Sequence, residues 1–66
     1  MRAEITSQEA AEERRLWADY YEAIMRALEV IRAQGTNGAV AVMRIVAQHA
    51  IASDALARIR EIRGLD

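Results

Sequence analysis

Gly35-Thr36-Asn37-Gly38 decides the fold of this 66-residue chain. On its N-terminal side nothing breaks a helix from Thr6 to Gln34, and on its C-terminal side the same holds from Ala39 to Arg63. There is no proline anywhere. A short break between two helical arms of similar length turns the second back along the first. The sequence therefore predicts an all-α fold, an antiparallel two-helix hairpin. A short flexible arm at 1–5 precedes a helix over 6–34, a turn over 35–38 and a helix over 39–63.

The helix ends carry their own signals. Thr6-Ser7-Gln8-Glu9 fits a capping box, in which the Thr6 hydroxyl bonds forward and the Glu9 carboxylate bonds back. Ile5, just before the cap, is placed to staple onto Ala10. Gly35 sits where a helix-ending residue with positive φ belongs. Asn37 is the expected N-cap of the second arm. Gly64 ends that arm, and Leu65-Asp66 is expected to fray. Ser53 offers a second cap in mid-arm, so a split of the second arm into two helices stays open at this point.

The first arm has two apolar rows. Trp17, Tyr21, Ile24, Leu28 and Ile31 follow alternating steps of four and three, the spacing of a helix–helix seam. Leu16, Tyr20, Ala23, Ala27 and Val30 run beside them. The opposite strip, Glu12, Arg15, Asp19, Glu22, Arg26 and Glu29, reads as a solvated face. Pairs such as Arg15–Asp19 and Glu22–Arg26 lie along it, each adding a few tenths of a kcal/mol at about 0.2–0.5. One facing helix covers one seam, so two rows predict contact with more than the hairpin partner.

Residues 39–52 of the second arm are apolar almost all round. Such a helix is buried on most sides, which a lone hairpin does not provide. The β-branched pairs Val40–Val42 and Ile45–Val46 also allow a strand, but no other segment offers a pairing edge. Farther on, Leu56, Ile59 and Ile62 face one way, with Asp54, Arg58 and Glu61 on the other side.

Size points in the same direction. A chain this short supports only a small core without a staple. It has no cysteine, so disulfides and thiolate metal sites are out and association is the remaining route. The expectation is that hairpins join into a helical bundle, most simply a dimer of four helices. Its interface would draw on Trp17, Tyr20, Tyr21, Ile24, Leu28 and Ile31 with Val42, Ile45 and Val46. The partner would be a second copy, another protein, or both.

Charge and motifs exclude more than they assign. Nine arginines, no lysine and ten acids leave a net charge of −1, which is not the balance of a dedicated nucleic-acid binder. His49 has Ile45, Val46, Ala52 and Ser53 at the helical positions where further metal ligands would stand, so no metal is expected. It reads instead as a histidine packed at a helix interface, with a pH-sensitive contact to a symmetry mate as a secondary reading. Glu9-Ala-Ala-Glu12 resembles half of the paired-carboxylate motif of all-α nucleotide pyrophosphatases, but the second half is missing. The glycine pair has neither the preceding strand nor the lysine of a phosphate loop. No catalytic residue and no cofactor is expected.

The functional expectation is a small non-enzymatic interaction or assembly protein: an adaptor, accessory or structural subunit. The alternative is a nucleic-acid-associated regulator that uses Arg58, Arg60 and Arg63 near the open end, with Arg2 and Arg14 nearby. The N-terminus has no leader-like apolar run. The apolar stretch 39–52 is shorter than the roughly 20 residues of a membrane span. The reading is a soluble, cytoplasmic protein without a membrane partner.

Overall fold

A computed structural model describes residues 4–65 and shows two helices, α1 (Ser7–Gln34) and α2 (Ala39–Arg63), packed against each other. The chain is all-helical among the described residues, so the strand alternative for 39–52 falls away. α2 runs through Ser53 without a break. With 28 and 25 residues, the helices are about 42 and 37 Å long at ~1.5 Å per residue. The molecule measures 45 × 19 × 11 Å: one helix long, two wide and one thick.

The first cap forms as the sequence predicts. The Glu9 amide donates to Thr6 Oγ1 and the Thr6 amide to Glu9 Oε1, both at 3.0 Å. At the other end of α1, Gly35 has φ 71° and ψ −162°. Its φ is positive, but its ψ is extended rather than left-handed helical, so the chain leaves the helix straight into the turn. That region is essentially open to glycine alone.

The N-cap of α2 is a correction. Gly38, not Asn37, holds the position, and no side chain bonds to the first-turn amides. The helix starts one residue later than an Asn37 cap requires. The Val42 amide reaches the Gly38 carbonyl at 2.9 Å and closes the first turn.

The end of α2 is also firmer than expected. Gly64 adopts the left-handed conformation. The Gly64 amide donates to the Glu61 carbonyl and the Leu65 amide to the Arg60 carbonyl, the paired bonds of a Schellman motif. Leu65 is therefore held rather than frayed. Arg2 and Asp66 lie outside the described residues, as do the first three residues of the expected arm.

The helix interface inverts the two rows of α1. The buried residue there is Ala23, flanked by half-buried Leu16, Tyr20, Ala27 and Val30. From α2 come Ala41, Ala52, Ala55, Ile59 and Ile62. In the expected seam, Tyr21 and Leu28 are 59% and 47% exposed and Ile31 is exposed too, while Trp17 and Ile24 are half-buried. The reason is steric. The spacing of packed helices depends on the side chains between them, and the buried residues of α2 at this level are small, as is Ala23. The bulky row is displaced to the flank.

Four of the six buried residues among those described are alanines, each removing little apolar surface at ~25 cal/mol per Å². The largest contributions, Ile59 and Ile62, sit toward the open end. Toward the turn, only Ala41 is buried among residues 31–44.

Gly35 gives the first test. A Cβ there would meet nothing within 4 Å, so substitution costs backbone strain alone. Gly35→Ala should destabilise by about 1–3 kcal/mol. D-alanine, whose mirror-image preference matches φ 71° and ψ −162°, should equal or exceed glycine. Denaturant unfolding of the three synthetic chains checks the order.

Candidate functional site

The open end of the hairpin is held by charge. Arg58 on α2 grips Glu12 on α1 through two bonds, Nε to Oε2 at 2.7 Å and Nη2 to Oε1 at 3.0 Å. Its third nitrogen reaches Glu61 at 3.2 Å. Arg63 holds Glu13 in the same two-pronged way, with Nη2 to Oε2 at 2.8 Å. Planar guanidinium and carboxylate groups match in this fork, which makes it the strongest form of such a pair. Glu12, expected on the solvated strip, is thus a cross-helix anchor. The Glu13 side chain is only 14% exposed. Along the strip itself, Glu22 pairs with Arg26 at 2.6 Å.

These pairs shift the groups they join. The hydrogen bonds from Arg58 hold the Glu12 carboxyl below its ordinary value. Arg63 does the same for Glu13, with a smaller contribution from Trp17. Both guanidinium groups are pushed further up, Arg58 by Glu12 and then Glu61, Arg63 by Glu13. Arg58 and Arg63, two of the three arginines expected to contact nucleic acid, are therefore occupied by carboxylates. Arg60 is exposed.

The other candidate surface is apolar. Tyr20, Ala23, Ile24, Ala27 and Leu28 of α1 face Ile45, Gln48, His49, Ala52 and Leu56 of α2 across an open groove of about 290 Å³. The groove brings together Tyr20, Ile24, Leu28 and Ile45 from the expected interface set. At one end Trp17, Tyr20 and Tyr21 form a ring cluster. Trp17 lies edge-on to Tyr20 at 5.6 Å and stacked on Tyr21 at 6.0 Å; the two tyrosines meet edge-on at 5.3 Å. Toward the turn, Val42 and Val46 are exposed, Val46 at 58%. His49 is exposed on the groove wall rather than packed inside the hairpin.

Several participants escape a linear reading. Met25, Val40, Met43 and Ile51 are large, apolar and exposed, Met43 at 71%. Gln48 turns inward, and its Oε1 is sealed from solvent without a hydrogen-bond partner. Helical spacing places it on the α1-facing side of α2, a signal that was present in the sequence. No group of three metal-ligating side chains occurs among the described residues.

The apolar part of α2 is longer than the stretch 39–52. The helix Ala39–Arg63 is long and apolar enough, by length and composition alone, to cross a membrane, a test that the core helix of a soluble protein also passes. The apolar character extends past Ala52 because the charges at Arg44 and Asp54 are sparse.

The ion pairs predict an acid limit. A carboxyl with a lowered folded pKa contributes stability that is present above its ordinary value of 4.5 and is lost as pH falls through the lowered one. Helicity and unfolding midpoint should be flat above that value and drop below it. Glu12→Gln with Glu13→Gln should flatten the acid limb, as read by circular dichroism against pH.

Compared with models of known protein families, with curated proteins and with solved structures, the sequence has no significant match.

Proposed function

We propose that this chain is a small non-enzymatic interaction or assembly protein, an adaptor, accessory or structural subunit. It works by giving its apolar face to another helical surface and so completing a bundle. The observation that carries the reading is the run of exposed large apolar side chains from Tyr21 to Ile31 and from Val40 to Ile51. An exposed apolar area of this kind on a small domain marks a contact surface. The shape agrees. The radius of gyration is 14.6 Å, against about 11 Å for a compact domain of this length.

The same proposal places the chain in water, in the cytoplasm, without a membrane partner. Arg44, Gln48, His49 and Asp54 all fall within α2. Charged residues at the centre of a span cost about 2.5–3.5 kcal/mol each. In the hairpin, α2 is also tied to α1 by Arg58 and Arg63.

Substitutions on the exposed face test the reading. Leu28→Glu with Val46→Glu should abolish association, seen as a fall in mass by sedimentation. Both side chains are largely outside the hairpin core, so helicity of the isolated hairpin is not their direct target. Glu22→Ala on the opposite face should leave the mass unchanged. An unchanged mass in the Leu28/Val46 variant would count against the reading.

Nucleic acid is the competing partner, and the geometry supports it less. Of the three expected arginines, Arg58 and Arg63 are paired with Glu12 and Glu13 and only Arg60 is left. Gel shifts with duplex DNA and with RNA at low salt should show no complex. A salt-dependent shift that disappears when Arg58, Arg60 and Arg63 become Ala would favour the nucleic-acid reading instead.

A further inference from the structure

We propose that the groove is occupied by a second copy of this chain. The copies dock groove to groove about a two-fold axis that crosses the helices at the level of Ile24 and His49. This rests on the assembly reading above and names its partner and geometry.

The first argument is area. A compact monomer of this mass exposes about 4,200 Å² on the surface–mass scaling, whereas this chain exposes 4958 Å². The excess, roughly 750 Å², is close to the ~800 Å² that each partner buries in a standard stable interface. One additional copy therefore matches the surplus.

The second argument is complementarity along the groove. The hairpin is uneven: aromatic rings cluster at Trp17, Tyr20 and Tyr21, and exposed aliphatic side chains gather toward the turn at Leu28, Ile31, Val42 and Val46. A two-fold axis between these regions lays the aromatic cluster of each copy over the aliphatic end of the other. An isologous interface needs this kind of self-match. The antiparallel arrangement also separates the two open ends, each carrying Arg58, Arg60 and Arg63. Head-to-head docking would bring the two exposed Arg60 side chains together.

The third argument is Gln48. Its Oε1 is buried without a partner in the lining of the groove. An unpaired buried acceptor is costly. In the proposed dimer the axis brings Gln48 and His49 of the second copy to the same level. Once the Gln48 amide turns toward the groove, a donor is within reach. A polar layer of this sort inside an apolar interface fixes register.

The chain has no cysteine, so single cysteines report proximity directly. His49→Cys, beside the axis, should form a disulfide-linked dimer under mild oxidation about tenfold or more faster than Glu22→Cys on the opposite face, because the effective concentration across the axis is high. Sedimentation of the unmodified chain should give twice 7.4 kDa. Equal or reversed cross-linking overturns the proposed geometry. If Leu28→Glu with Val46→Glu still dissociates the assembly in that case, assembly through the apolar face survives and only the seating fails. A helical monomer at micromolar concentration, unaffected by those substitutions, sinks the second copy and the assembly reading together.

Discussion

The packing of two helices through a small, alanine-rich core governs this molecule. Ala23 of α1 and Ala41, Ala52 and Ala55 of α2 are buried between the helices, and the distance between packed helices depends on the side chains at the contact. The cost of that choice is a thin core. The large side chains of α1 do not fit between the axes, so they are displaced to one flank and join the apolar flank of α2. The internal contact and the exposed face are two results of one packing decision.

The charged and apolar features divide the hairpin lengthwise. At the open end, Ile59 and Ile62 are buried and two guanidinium–carboxylate forks clamp the helices together. At the turn end Ala41 is the buried residue among 31–44. Exposed ion pairs contribute little individually, typically about 0–1 kcal/mol, but these two also fix the register of one helix against the other. Register decides which residues share the groove. The pairs thus shape a surface whose lining residues they do not include.

The sequence was legible where the physics is local. The Thr6–Glu9 box, the stop at Gly35 and the stop at Gly64 each depend on a few neighbouring residues, and each forms. The Asn37 cap failed by one residue, because two glycines and two polar residues offer several starts of nearly equal quality. The seam could not be settled from α1 alone. Its rows through Ile24 and through Ala23 have the same period, and only the alanines of α2 favour the second. Glu12 and Glu13 likewise look like surface acids until the antiparallel register brings Arg58 and Arg63 alongside. Exposure of Val42, Val46 and Leu28 follows from that register too.

The unequal ends of α2 have a dynamic consequence. Its first turn has no side-chain cap and no acid to meet the helix dipole, so its leading amides depend on solvent. Its last turn is closed by the Gly64–Leu65 bonds and anchored through Arg63. Opening therefore starts at Gly38 and has to travel down the helix. Amide hydrogen exchange along α2 should form a gradient, fastest beside the turn and slowest around Ile59 and Ile62. The mobile end of that gradient coincides with Val40, Val42 and Val46, the part of the helix with the most apolar surface left to cover.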